Sequence, residues 1–204
     1  MWFPWPFVLE YRKPVRLIIQ KHGDTLLRFP AKINDVPTTT AKLTLDQFQE
    51  QFGGGDRAYE FWYGEAIPKS MPTWVHGLLQ AIILQLLKEA GFHAASEVEL
   101  RIDPNVRPRP DVIASKSRPR GEYPTEAADI VVEIVSDEDS FPHLKDKCRK
   151  YHAWGFGRIY VVDPSDRSVS EWQGVLVETD HLAGIPAARI WQQLDLEYDS
   201  APVR

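Results

Sequence analysis

The sequence is poor in features that mark secreted or membrane proteins. Cys148 is the only cysteine among 204 residues, which excludes an internal disulfide framework and a zinc site built from cysteines. No apolar run approaches the roughly 20 residues that span a bilayer. The apolar residues 1–7 lack a basic segment and contain two prolines, so they do not resemble a secretory signal. We therefore expect a cytoplasmic protein with no membrane association.

A large excess of positive charge is also missing. The chain has 24 Lys and Arg against 29 Asp and Glu, a net charge of -5, so the whole molecule is not a basic nucleic-acid binder. Basic residues concentrate in residues 101–120, and our candidates for nucleic-acid contacts there are Arg107, Arg109, Lys116 and Arg118. Solvated loops and a helix face explain the same pattern without a ligand, and charge alone favours that explanation.

The chain length fits one substantial domain with an appendage. Two short apolar runs, residues 15–19 and 26–29, flank Gly23 and predict a hairpin. A stretch rich in proline and threonine follows and is typical of a linker. We therefore predict a β-rich N-terminal extension over residues 1–43 and an α/β domain over residues 44–204.

Hydrophobic periodicity predicts the elements of this domain. A capping box formed by Thr44 and Gln47 begins the first helix. Further helices are predicted over residues 73–90 and 144–154, where apolar residues recur at helical spacing. Strands are predicted at residues 59–63, 98–102, 111–113, 130–135, 158–163, 169–172 and 175–178. From Ile190 onward we expect a short edge strand and a tail.

Glu133 is the anomaly in this pattern. It lies inside the run Val-Val-Glu-Ile-Val, and a carboxylate buried in an apolar strand is costly unless it is paired or binds a cation. Asp111 opens another short apolar strand, so the two carboxylates can share a hard cation such as Mg²⁺ or Mn²⁺. A salt bridge inside the sheet remains the alternative for Glu133, and a turn role remains the alternative for Asp111.

The helix after Glu133 supplies a lysine. Lys147 and Tyr151 are four residues apart and therefore share one helix face. A lysine beside a metal-bound phosphate stabilises the charge that develops in the transition state. Lys147 is our first candidate for that role and Lys150 is the reserve candidate.

The order of these motifs resembles the Uma2 family, a restriction-endonuclease-like group within the PD-(D/E)XK nuclease superfamily. The similar stretches are residues 59–65, 109–112, 131–136 and 160–164, together with His76, Lys147, Tyr151 and Gly157. The resemblance covers about 130 residues. One departure is Val135, which stands where the superfamily's plain Glu-x-Lys motif has its lysine.

The resemblance implies a fold, a cofactor and a set of site residues. The fold would be a restriction-endonuclease-like mixed β-sheet flanked by helices, in the α/β (α+β) class. Asp111, Glu133 and Lys147 would be catalytic, and Glu65 would complete the Mg²⁺ or Mn²⁺ shell that Asp111 and Glu133 begin. His76 would be an accessory residue, although a role in capping or core packing explains it equally well.

Three functional hypotheses follow. The first is a metal-dependent endonuclease that hydrolyses DNA. The second is a catalytically degenerate nuclease fold that binds nucleic acid or a protein partner without cleavage. The third is a metal-dependent hydrolase of small phosphoesters. A homodimer is a hypothesis from chemistry alone, because a nuclease that cuts both strands of a duplex often needs two subunits.

Overall fold

A computed structural model describes residues 42–53, 58–137 and 139–199. The predicted N-terminal hairpin, and with it nearly all of the extension over residues 1–43, lies outside the described residues. The described helices are α1 (Leu45–Phe52), α2 (Trp74–Glu89), α3 (Phe141–Trp154) and α4 (Ala187–Asp199). The described strands are β1 (Tyr59–Trp62), β2 (Glu65–Pro68), β3 (His93–Ser96), β4 (Val106–Arg107), β5 (Val112–Ser115), β6 (Ile130–Ile134), β7 (Arg158–Asp163), β8 (Ser168–Trp172), β9 (Leu176–Thr179), β10 (His181–Leu182) and β11 (Ile185–Pro186).

The main sheet is mixed. Its order within the described residues is β3-β5-β6-β7-β8-β9, with β6 and β7 parallel and the other neighbours antiparallel. Every residue of β6 is buried, as expected for an apolar, β-branched strand covered on both faces. The predicted mixed sheet flanked by helices is therefore confirmed.

Successive residues of β6 face different helices, because strand side chains alternate between the two faces. Val132 and Ile134 pack into a core with apolar residues of α2 and α4. Val131 packs into a second core with apolar residues of α3. Glu133 shares the strand parity of Val131, so its side chain lies on the α3 face.

A smaller sheet, of order β2-β1-β4, lies beside the main one. The hairpin of β1 and β2 pairs Trp62 with Glu65, so that two residues form its turn. Those residues, Tyr63 and Gly64, have positive φ values of 51° and 88°. Positive φ at both central residues is the requirement of a type I′ turn, whose twist matches that of a hairpin.

Two predicted helix starts are confirmed. The Thr44 hydroxyl accepts a hydrogen bond from Gln47 N, and the Gln47 side chain accepts one from Thr44 N, which completes the capping box of α1. Thr73 caps α2 by accepting from His76 N. The third helix, α3, begins at Phe141, three residues before the predicted start, with Pro142 in its first turn, where the missing amide proton costs nothing.

The strand predicted over residues 98–102 is wrong. These residues are described and form no strand, although Leu100 is fully buried in the core against α3. Leu100 N donates to Pro108 O and Arg101 N donates to Pro124 O. Leu100 is buried and Val98 and Ile102 pack partly buried against the same core, but the hydrogen bonds of the segment go to loops instead of a neighbouring strand.

The predicted tail from Ile190 is also wrong, because this region is helix α4. Ile190 and Leu194 are buried against the core that α2 covers. Together with Ala187 and Trp191 they recur at i, i+3, i+4 and i+7, the spacing of an amphipathic helix. None of the helices among the described residues is long and apolar enough to cross a membrane.

Truncating Leu194 tests the position of α4. Leu194→Ala should lower the free energy of unfolding by about 2–5 kcal/mol, the usual cost of a cavity left by a buried leucine. Leu196→Ala is the matched control, since Leu196 lies on the same helix and is 68% exposed. Urea denaturation of both variants measures the difference, and equal stabilities would show that α4 is not packed on the core.

Candidate active site

Strand pairing brings Asp111 and Glu133 together. Strands β5 and β6 are antiparallel, with Val112 opposite Val132 and Ile113 opposite Val131. Extending this register by one pair places Asp111 opposite Glu133, and directly opposed side chains lie about 4.5–5.5 Å apart at Cβ. Asp111 Oδ2 accepts a hydrogen bond of 2.7 Å from Ile134 N, which fixes the carboxylate at the end of β6.

Helix α3 supplies two partners to Glu133. Lys147 Nζ donates to Glu133 Oε2 at 2.8 Å, and the Tyr151 hydroxyl donates to Glu133 Oε1 at 2.6 Å. All three side chains are buried. The i,i+4 spacing of Lys147 and Tyr151 therefore aims both polar groups at one carboxylate.

Glu60 is a buried site residue that the sequence analysis did not select. It lies in β1 and is 2% exposed. Its Oε1 accepts from Lys147 Nζ at 3.1 Å and from Arg109 N at 2.8 Å, and its Oε2 accepts from Trp62 Nε1 at 2.9 Å. A charged residue inside the apolar run Tyr-Glu-Phe-Trp is the same signal that singled out Glu133.

Lys69, which follows β2, is a half-buried cation of the cluster that the sequence analysis did not select. Its Nζ donates to Asp111 Oδ1 at 3.0 Å, to Arg109 O at 2.7 Å, and to both carboxylate oxygens of Glu97 at 2.8 and 2.9 Å. Lys69 and Glu97 both lie outside the strands and helices. No periodic pattern in the sequence marks such loop residues.

His76, in the first turn of α2, reaches the same cluster from the opposite side of the sheet. Its Nε2 is 3.4 Å from Asp111 Oδ1, and its Nδ1 is 3.1 Å from Ser136 Oγ. Burial lowers the pKa of His76, but the hydrogen bond and the charge of Asp111 outweigh this effect and raise the pKa above its usual value.

The cluster holds more negative than positive charge. Its carboxylates are Glu60, Glu97, Asp111 and Glu133, and its lysines are Lys69 and Lys147. Four carboxylates, of which Glu97 is 34% exposed, against two lysines leave an excess of two negative charges when His76 is neutral and Glu133 is ionised. A divalent cation carries the charge that would balance the cluster.

The excess of negative charge affects Glu133 most, because it raises the pKa of this carboxyl group. Burial raises the pKa of Glu133 to about 7, and Lys147 offsets this only in part because Asp111 and Glu60 raise the pKa further. Burial also raises the pKa of Asp111, but its hydrogen bond with His76 and the charges of Lys69 and Lys147 outweigh this effect. At Glu60 the effect of burial is likewise outweighed, chiefly by the charge of Lys147 and the hydrogen bond with His143. Both of these groups have a pKa below the usual range, so Glu133 is the carboxylate with the weakest compensation.

Asp111 and Glu133 are the residues of this cluster that could hold a divalent cation. Asp111 and Glu133 line a cavity of about 70 Å³, and each water needs roughly 10–15 Å³ of such space. Among the described residues, no three His, Cys, Asp or Glu side chains are arranged to hold a metal ion. Two carboxylates are nevertheless enough for Mg²⁺, which usually keeps several waters and binds substrate phosphates directly.

Two predicted site residues lie outside the cluster. Glu65 is exposed on β2 and lies with Lys150 along the side of α3, so the acidic residue of β1–β2 that enters the cluster is Glu60. Lys150 Nζ donates to Asp103 Oδ2 at 2.7 Å and to the Tyr63 hydroxyl at 2.8 Å. Helix rotation explains this placement, because Lys150 is offset from Tyr151 by one residue.

The four predicted nucleic-acid contacts do not form one surface. Arg109 borders the cluster and its Nε donates to Glu97 O at 3.3 Å, whereas Arg107 is half-buried and donates to Asp103 O. Lys116 and Arg118 follow the opposite end of β5, and the strand rise places Lys116 roughly 17 Å from Asp111 along the chain. The Lys116 ammonium lies 3.6 Å from the centre of the Phe92 ring.

The fold and the buried acid–lysine cluster define a nuclease-type α/β protein. The family model that matches the chain, over residues 45–190, is Uma2, described as "Putative restriction endonuclease". This match covers well over half of the sequence, and the protein therefore belongs to the Uma2 family.

One solved structure supports the fold. A crystal structure of a "putative nuclease belonging to DUF820" from Anabaena variabilis has a TM-score of 0.63 and 21% identity, over 74% of this chain and 99% of that chain. A cryo-electron-microscopy structure of a DrdV–DNA complex has a TM-score of 0.33 and 19% identity, over 60% of this chain and 11% of that chain; this likeness is too weak to support an argument. No curated protein matches the sequence.

Proposed function

We propose that the protein is an endonuclease that hydrolyses phosphodiester bonds in DNA and requires Mg²⁺ or Mn²⁺. The observation that carries this proposal is the buried cluster in which Asp111, Glu133 and Lys147 converge with an excess of negative charge. A structural ion-pair network alone has no need for that excess, because uncompensated buried charge destabilises a fold.

Asp111 and Glu133 would hold the cation. Both residues line the same cavity, and carboxylates are the ligands that Mg²⁺ and Mn²⁺ prefer. When bound, the cation polarises a phosphoryl oxygen and lowers the pKa of a coordinated water. In the hydrolysis, a water oxygen bonds to phosphorus, one bridging P–O bond breaks, water gives up a proton and the leaving oxygen takes one up.

Lys147 would stabilise charge in the reaction, and Glu60 and Tyr151 position the charged groups. Lys147 supplies a fixed positive charge beside Glu133, where it stabilises the negative charge that develops on the phosphoryl oxygens. Glu60 positions Lys147 through its 3.1 Å contact. Tyr151 positions Glu133 by donating to Oε1, so that one oxygen of this carboxylate is fixed while the other faces Lys147.

One observation favours the catalytically degenerate alternative. Lys69 and Lys147 already donate to Asp111 and Glu133, so the carboxylates are paired without a metal. A protein that had lost catalysis would keep this arrangement as an internal ion-pair network and use its surface to bind nucleic acid or a protein partner.

Cleavage of closed circular DNA tests the proposal. Supercoiled plasmid should be nicked or linearised in the presence of Mg²⁺ or Mn²⁺, and EDTA should abolish the reaction. A circular substrate has no ends, so cleavage cannot come from exonuclease activity. An intact plasmid under all these conditions, with retained oligonucleotide binding, would favour the degenerate alternative. Hydrolysis of a small phosphodiester without cleavage of DNA would favour the small-ester hydrolase.

A further inference from the structure

A surface groove runs beside the candidate active site, between the β1–β2 hairpin and α3. Its lining includes Lys42, Tyr63, Glu65, His143, Arg149 and Lys150. We call it the α3 groove. None of these residues belongs to the acid–lysine cluster. Glu65 was a predicted metal ligand, and Lys150 was the reserve candidate for the catalytic lysine.

The α3 groove adjoins the cavity of the active site. Ile67 and His143 line both spaces, so the two spaces share part of their walls. Helix α3 presents Lys147 to the buried carboxylates and presents Arg149 and Lys150 to the groove.

The groove lacks the negative excess of the cluster. Its cations are Lys42, Arg149 and Lys150, and its carboxylates are Glu65 and Asp146. Lys150 pairs with Asp103 at 2.7 Å, so positive and negative charges balance and Lys42 and Arg149 are the cations open to a ligand. Arg149 is paired with Asp146, and both side chains are more than half exposed. An exposed pair of this kind contributes little to stability, so a phosphate can compete for the guanidinium.

Tyr63 lies at the tip of the hairpin, at a turn position whose backbone conformation is unfavourable for tyrosine. A tyrosine with a φ of 51° occupies a turn position that asparagine and glycine adopt more easily. Its side chain is 50% exposed, and its hydroxyl accepts the 2.8 Å hydrogen bond from Lys150 Nζ. The structure therefore holds an exposed aromatic ring at the edge of the α3 groove.

The hairpin turn also fixes Lys42. Leu43 N donates to Gly64 O at 2.8 Å, and a Cβ added to Gly64 would lie 2.6 Å from Lys42 Cβ. The glycine is thus needed both for its positive φ and for this close approach. Lys42 and Tyr63 are anchored by the same two-residue turn, which makes this end of the groove a preformed surface.

We propose that the α3 groove binds the single nucleic-acid strand that adjoins the phosphate in the active site. Lys42 and Arg149 contact its phosphates, and the Tyr63 ring stacks on an unpaired base. Basic side chains that follow the backbone, combined with an aromatic ring, are the general means of binding single strands. This proposal rests on the proposed nuclease function and specifies where the substrate lies.

A pair of matched charge variants tests the phosphate contacts. Asp146→Asn frees Arg149 in the groove, and Glu89→Gln frees Arg189, which forms a similarly exposed pair between α2 and α4. Both variants add the same net charge. Asp146→Asn should tighten binding of a cleavage-resistant phosphorothioate single strand about threefold and steepen its salt dependence by roughly 0.7 in log–log slope. Glu89→Gln should change neither quantity.

A pair of matched tyrosine variants tests the stacking contact. Tyr63→Ala should weaken binding of the same strand by roughly fivefold or more. Tyr198→Ala, which removes an equally exposed tyrosine from α4, should leave it unchanged. Fluorescence anisotropy measures all four dissociation constants.

The outcomes separate the groove from the proposed function. If the wild-type protein cleaves DNA and each groove variant binds like its control, the α3 groove is not the strand-binding surface. If the wild-type protein neither binds nor cleaves nucleic acid, the proposed function fails and the groove proposal fails with it. A gain of affinity in Asp146→Asn cannot arise from damage to the fold.

Discussion

Asp111→Asn should reduce metal-dependent cleavage by about a thousandfold, near the upper end of what one electrostatic group contributes to catalysis. Asparagine has the shape of aspartate but carries no charge. The substitution removes one of the two carboxylates that would hold the cation, and it replaces an acceptor with an amide beside Lys69 Nζ or Ile134 N, the donors that Asp111 binds. Metal affinity and cleavage rate should therefore fall together.

Isothermal titration with Mn²⁺ and a plasmid-cleavage time course measure these two quantities. Asp195→Asn is the control, because Asp195 is an exposed carboxylate on α4 that pairs with Arg167. The control should bind Mn²⁺ and cleave DNA like the wild type. Full cleavage by a correctly folded Asp111→Asn variant would exclude Asp111 as a metal ligand.

Lys147→Met should lower the free energy of unfolding by about 3–5 kcal/mol, the usual cost of removing one partner from a buried ion pair. Lys147 is the shared donor of Glu60 and Glu133, at 3.1 and 2.8 Å, and both carboxylates are buried. Methionine fills most of the lysine volume, so the loss comes from uncompensated charge and not from a cavity. Cleavage should be lost as well.

Lys145→Met is the matched control for stability. Lys145 lies on the same helix, and its ammonium is 4.5 Å from the centre of the Phe141 ring, an exposed contact that contributes roughly 0.5–1 kcal/mol. Urea denaturation compares the two variants. If they lose the same free energy, Lys147 does not neutralise buried carboxylates.

The sequence was informative where burial and polarity conflict. Glu133 inside an apolar strand indicated the cluster, and the helix spacing of Lys147 and Tyr151 indicated its partners. Asp111 was found because it begins the neighbouring strand. Lys147 and Tyr151 both contact Glu133, and Asp111 lines the same cavity as Glu133 and Lys147, since sheet pairing and helix periodicity are regular enough to be read from sequence.

The site residues that were missed have two different causes. Glu60 carried the same signal as Glu133, but Glu65 was chosen from the same stretch by resemblance to the family. Lys69 and Glu97 carried no signal, because they lie in loops whose path depends on the whole fold. A local pattern cannot show that residues 28 positions apart form an ion pair of 2.8 Å.

The errors in the fold have physical causes as well. Alternation at residues 98–102 reports the burial of Leu100 correctly, but it cannot show whether a neighbouring strand is present. Helix α4 was missed although Ala187, Ile190, Trp191 and Leu194 have helical spacing. The short hairpin β10–β11 before it was missed too, because its two-residue strands offer no alternation to recognise.

The central claim is that Asp111 and Glu133 together bind a divalent cation. An anomalous difference map from crystals soaked in Mn²⁺ tests it most directly. The account predicts a peak between these two carboxylates, at about 2.0–2.4 Å from an oxygen of each. A map without a peak there, in crystals where Lys69 and Lys147 still pair with both carboxylates at saturating Mn²⁺, would contradict the claim.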